Sequence, residues 1–198
     1  GYAMKQTFAV ILLFASLVFG TSVIRPSHAQ QQPDSAGAFE KALFEELNAM
    51  RADPKRMIPK LEELKGRFRG NSIVFPDGST VRSPEGPAVV DEAIAFLART
   101  APVQKLTLTE GLARSARDHC IDQAASGKSG HRGGDGSTPQ NRMRRYGTFT
   151  QSGENLAYGW YAGDSAEAIL IQLVVDDGVK DRAHRKSLFR PAFTHVGI

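Results

Sequence analysis

The chain predicts an α+β fold, rich in helix and poor in strand. Three observations carry that expectation: apolar residues recurring at three- and four-residue steps, one compact hairpin signal, and a final apolar run that reads as a strand. From Ala38, residues Phe39, Leu43, Phe44, Leu47 and Met50 form a stripe opposite Glu40, Lys41, Glu45 and Glu46. Pro54 ends or restarts that helix, and Met57, Ile58, Leu61 and Leu64 continue the stripe to Gly66. Ile73-Val-Phe75 and Thr80-Val81 flank Pro76-Asp-Gly-Ser79 as a small hairpin. Val89 to Leu97 is another amphipathic helix, closed by Pro102. Thr107 with Glu110 fits a capping box, opening a helix that carries Leu112, Ala116, His119 and Ala124 toward Gly127. Gly127 to Gly136 is irregular by composition. Thr138-Pro139 gives an N-cap with proline at the first helical position, and Gly147 stops the short helix. Asp164-Ser-Ala-Glu167 opens a last long helix that Asp176-Asp-Gly178 ends, and Phe193 to Ile198 begins a strand.

The ends and the composition narrow the class. Lys5, then an apolar run from Phe8 to Phe19 broken only by Ser16, then Ser27-His-Ala29, read as a secretory signal peptide over residues 1–29. The run is short for a membrane span, which takes about 20 residues, and an uncleaved anchor is the alternative. Residues 30–37 form a polar, flexible leader and residues 38–198 a single domain. Removing Lys5 and Arg25 lowers the net charge from +4 to +2, which excludes a nucleic-acid footprint. Arg142, Arg144 and Arg145 read as one solvated helix face, with contact to an anionic headgroup or cell wall as the alternative. A single cysteine, Cys120, excludes an internal disulfide and sits in a helical pattern as a small buried hydrophobe.

Candidate chemistry lies in three segments. His131 stands among glycines, Gly130, Gly133 and Gly134, which permit close approach. It is a metal ligand or proton carrier on one reading and an exposed loop residue on the other. Glu154, in Ser152-Gly-Glu-Asn-Leu-Ala157, serves as a site acid or as a helix-start acid. His184-Arg185 is a site histidine or a basic surface patch. Asp176 and Asp177 at a helix C-terminus oppose the macrodipole, and that misfit points one of them at a cation or a histidine. His119 shares a helical face with Leu112 and Ala116 and reads as a core histidine. No HExxH, CxxC, GxSxG or phosphate loop is present, and no serine near the histidines is marked as activated.

In combination these pieces resemble the CAP superfamily of SCP-like extracellular domains, in the disulfide-free form found in bacteria. The matching pieces are Leu47-Asn-Ala-Met-Arg-Ala52, the Leu112–His119 helix, Gly130-His131, and Asp135-Gly-Ser-Thr-Pro139 with Arg142. Gly153-Glu-Asn-Leu156, His184-Arg185 with Leu188-Phe189, and Val196-Gly197 complete them. The resemblance implies an α-β-α sandwich with a small antiparallel sheet between helices. It also implies a cleft holding His131, Glu154, His184 and an acid before His184, here Asp176, with Asp177 the next choice. Asp is one methylene shorter than the Glu usual at that place, so a longer or water-mediated contact is expected. Residues 66–105 look longer than in compact members and can cover one side of the cleft. The chain stops at Ile198 where members continue, and a truncated sequence missing its last strands is expected.

Three functions follow. The first is a secreted or periplasmic module binding Zn²⁺ or another divalent cation through His131, His184, Glu154 and Asp176, together with a lipid or sterol, a cell-wall glycan or a peptide. The second is a hydrolase in which the same His and Glu activate water, protease-like, with or without metal. The third is a structural cluster that braces the loops of an interaction domain. No nucleic-acid partner and no membrane span in the processed chain are expected.

Overall fold

A computed structural model of the chain describes residues 15–20, 37–158 and 165–198. Helix α1 (Ala38–Ala52) buries Leu43, Leu47 and Met50. A 3₁₀ turn at Pro54–Met57 separates it from α2 (Ile58–Gly66), because Pro54 has no N–H to continue the ladder. The chain then forms a three-stranded meander, β2 (Phe68–Arg69), β3 (Ser72–Val74) and β4 (Thr80–Arg82). The first of these strands carried no readable signal. Helix α3 (Pro87–Arg99) starts at its proline and buries Val89, Val90, Ala93 and Leu97.

β5 (Thr107–Leu108) leads to α4 (Glu110–Ser126), which Gly127 closes in the left-handed region at φ 65°. The N-cap is Thr109 with no side-chain cap, so the expected Thr107–Glu110 box does not form; Thr107 is committed to pairing with the last strand. α5 (Pro139–Arg144) opens on the expected Thr138 cap, and Asn141 makes the reciprocal bond. β6 (Ser152–Ala157), α6 (Ala166–Val175), α7 (Ala183–Leu188) and β7 (His195–Gly197) complete the chain.

The main sheet has the order β5-β7-β1-β6, with β1 formed by Ala15–Gly20. β5 runs parallel to β7, and the other pairs are antiparallel. β1 pairs with β6 from Ala15↔Ala157 to Gly20↔Ser152, and with β7 from Val18↔Gly197 to Gly20↔His195. Ala15–Gly20 belong to residues 1–29, the expected leader, and here pair in the sheet. A backbone rich in strand-forming Leu17, Val18 and Phe19 satisfies the facing edges of β6 and β7, which would otherwise leave unpaired N–H and C=O groups. Residues 1–14 and 21–29, and the leader up to residue 36, lie outside the described residues. Among the described residues no helix is long and apolar enough to cross a membrane.

Helix α4 packs on β1 and β7 and carries α5, while α1, α2, α3 and α6 pack together beyond the sheet. The result is the layered α-β-α arrangement. The main core joins α1, α2, α3 and α6 to Val196 and Ala157 of the sheet. Gly197 sets the helix-to-sheet distance: a Cβ there would stand 2.0 Å from the Leu112 carbonyl carbon and 2.1 Å from Ala113 N. Two buried polar residues of α1 tie the layers. Asn48 exchanges bonds with the Leu106 backbone at 3.0 and 2.7 Å. Arg51 donates to the carbonyls of Gln104, Leu188 and Phe193 at 2.9, 2.5 and 3.3 Å. Burial lowers the Arg51 guanidinium to about 10, which still leaves it charged at neutral pH.

Candidate functional site

Three elements and one loop bring the site together. Glycine at 130, φ 100°, turns the loop after α4 so that His131 faces the sheet. β6 presents Glu154, whose side chain is 1% exposed. The end of α6 supplies Asp176, and the first turn of α7 supplies His184.

The four side chains form two parallel His–carboxylate pairs. His131 Nδ1 lies 2.9 Å from Glu154 Oε1, and His184 Nδ1 lies 2.6 Å from Asp176 Oδ1. With a carboxylate on each Nδ1, the Nδ1–H tautomer is the one bonded and each Nε2 is left as the free donor atom. The two rings stack with centroids 6.5 Å apart and 29° between planes. Asp176 makes its histidine contact directly, so the shorter side chain needs no bridging water. It does so from a left-handed backbone at φ 57°, a conformation that Asp tolerates better than most residues. Its Oδ2 accepts the Arg185 N–H at 3.1 Å. Asp177 instead accepts from Glu85 N at 3.1 Å and stands outside the pair.

Arg142 is the residue the sequence reading misplaced. It is 2% exposed, not part of a solvated face. Its Nη2 donates to Glu154 Oε2 at 2.8 Å, and Nη1 and Nη2 both reach the His131 carbonyl at 3.1 Å. Burial pushes the Glu154 carboxyl up, but the His131 and Arg142 hydrogen bonds and the Arg142 charge outweigh it, leaving the group below its ordinary value. Glu154 is therefore a buried carboxylate held ionised. The helix-start reading of Glu154 fails, because the residue lies in a strand.

On the His184 side, Asn155 Nδ2 donates to the His184 carbonyl at 3.2 Å, and Ser187 Oγ lies 2.6 Å from Asn155 Oδ1. The loop between α6 and α7 is clamped by charge. Arg182 bridges Glu85 and Glu92 at 2.7 Å each, and Arg185 reaches Glu92 at 2.7 Å while donating to the Val174 and Val175 carbonyls. The Arg182 contact draws both Glu85 and Glu92 down to about 2. No local signal exposes these partners, which lie 90 or more positions apart.

The expected four-ligand set takes a different form. Among the described residues no three His, Cys, Asp or Glu side chains gather around one metal position. Glu154 and Asp176 are spent on orienting imidazoles, which leaves the two Nε2 atoms as the donors the protein offers. Carboxylate–imidazole pairs of this kind orient metal-binding histidines from behind. Two imidazole nitrogens are fewer than the three protein ligands of catalytic zinc sites. His119 is fully buried, as expected of a core histidine, and Cys120 is only half-buried.

Beside His184 a cavity of about 510 Å³ opens between β4 and the α6–α7 loop, walled by Val81, Pro84, Leu156, Leu173 and Val179. The segment 66–105 thus does cover one side of the cleft. A family model described as "CAP: Cysteine-rich secretory protein family" matches residues 44–198. Searches of curated proteins and of solved structures found no match.

Proposed function

From the membership of this chain in the cysteine-rich secretory protein (CAP) family, we propose that it is an exported binding module. Its cleft would take a divalent cation such as Zn²⁺ on the Nε2 atoms of His131 and His184, together with a larger ligand. The observation that carries this reading is the pair of stacked rings, each tied at Nδ1 to a carboxylate whose side chain is 1% exposed. The bound cation would supply Lewis acidity and a fixed positive charge. Glu154 and Asp176 hold the rings in one tautomer, and Arg142 fixes Glu154. The cavity walls suit the apolar part of a lipid or sterol, a cell-wall glycan or a peptide side chain. Export would follow from residues 1–29 acting as a leader.

Zn²⁺ titration by calorimetry into wild type and a His131→Ala/His184→Ala double variant tests the reading. Binding by wild type alone is expected, weakening on acidification as imidazoles protonate. Equal binding by both proteins ends the metal claim. Substrate turnover abolished by Glu154→Gln would replace binding by hydrolysis. Melting curves that fall in the double variant but ignore EDTA in wild type would reduce the cluster to a brace.

A further inference from the structure

Gly130, the residue bonded to His131, has both of its backbone polar groups taken by side chains. Its carbonyl oxygen accepts from His119 Nε2 at 2.8 Å and from Gln123 Nε2 at 2.6 Å. Its N–H donates to Tyr158 Oη at 2.7 Å, and Gln123 Nε2 lies 3.3 Å from the same hydroxyl. His119 and Gln123 stand one turn apart on α4, at 0% and 2% exposure. The donors are mutually consistent. A carbonyl only accepts, so His119 carries its proton on Nε2, and the 3.1 Å approach of the two side-chain nitrogens is two donors converging on one oxygen. The same oxygen sets the Gln123 amide with its nitrogen inward.

Loop bracing alone would leave the choice of Gly130 unexplained. Beyond it, the His131 carbonyl is held twice by Arg142, and the His131 ring is held by Glu154. The stretch from the Gly130 nitrogen to the His131 carbonyl is thus fixed at both ends and at the peptide between them. The ring meets Glu154 with this stretch held in place. We propose that His119, Gln123 and Tyr158 are positioning residues that preset His131 for the ligand or cation of the cleft. The proposal rests on the binding reading above for its purpose but not for its geometry.

His184 supplies an internal control, since α6 and α7 hold it through Asp176 and Asn155 without any of these three side chains. The experiment is imidazole ¹⁵N–¹H NMR on wild type, Tyr158→Phe and Gln123→Leu, without metal. Tyr158→Phe removes one oxygen and keeps the ring. The expected result is loss or broadening of the His131 Nδ1–H signal with the His184 signal retained. Zn²⁺ affinity should fall about 10-fold or more, the usual cost of removing an orienting partner. An unchanged His131 signal in both variants overturns the proposal. So does a parallel loss of both histidine signals, which would mean general loosening. Absence of Zn²⁺ binding in wild type would overturn only the binding reading, because the imidazole spectra decide this one without metal.

Discussion

Arg142 and Glu154 show at the residue scale how burial couples charge to position. Both side chains are almost wholly buried, so removing one leaves the other without compensation. Arg142→Leu is expected to destabilise the fold by about 3 kcal/mol and to raise the Glu154 carboxyl, measured by urea unfolding at neutral pH. Gly197→Ala tests a steric limit. The added methyl meets backbone atoms of α4, not a movable side chain, so a loss of about 1–3 kcal/mol or more is expected in the same assay. The order His131, Glu154, Asp176, His184 was legible through the family resemblance; locally, only the glycines beside His131 and the ill-placed acid at Asp176 left a mark, and Glu154 alone read as a helix-start acid. Arg142 was singled out only as a piece of the family pattern, with no role attached. Its companions Arg144 and Arg145 disguised it as surface, and the turn that points one arginine of a cluster inward depends on the tertiary path of the loop. Gln123 and Tyr158 left no mark either, since an amide and a phenol gain meaning only from the carbonyl and N–H they reach.

Among the elements, the junction of α6 and α7 carries the electrostatics. Two acids end a helix against its dipole, and the His184 ring and the Arg185 N–H offset that cost. Asp176→Asn keeps a residue that tolerates the left-handed turn but weakens the hold on His184. A stability change within about 1 kcal/mol is expected, with cation affinity reduced about 10-fold or more, read by melting and calorimetry side by side. Glu85 and Glu92 sit near 2 against an ordinary 4.5, so the unfolded chain binds their protons more tightly. Their contribution is complete above about pH 4.5 and is lost as the pH falls toward about 2. Urea titrations across that range should show a shallower acid slope for Arg182→Ala than for wild type. Helix ends were read well where proline or glycine fixed them, as at Pro54, Gly127 and Pro139. The capping box at Thr107 failed because a two-residue strand competed for the same residue, and pairing with β7 outweighed one side-chain cap.

For the whole molecule, the helices followed from periodicity and the layers from the family resemblance, but the make-up of the sheet did not follow from either. An apolar run flanked by a lysine carries the same local pattern whether it leads a chain across a membrane or lies in a sheet. Its choice of β6 and β7 as neighbours depends on edges that exist only after the rest has folded. A chain beginning at Gln30 lacks the strand between β6 and β7. It is expected to melt lower by about 2–8 °C, as a loss of roughly 1–2 kcal/mol implies for a domain of this size. Scanning calorimetry of the two lengths checks it.

The position of Ala15–Gly20 also sets an order of events. Six residues hydrogen-bonded between two strands cannot at the same time be threaded through a translocation channel or lie extended in the groove of a processing peptidase. Were residues 1–29 to act as a removable leader, sheet closure by Ala15–Gly20 and that removal would exclude each other in any one molecule.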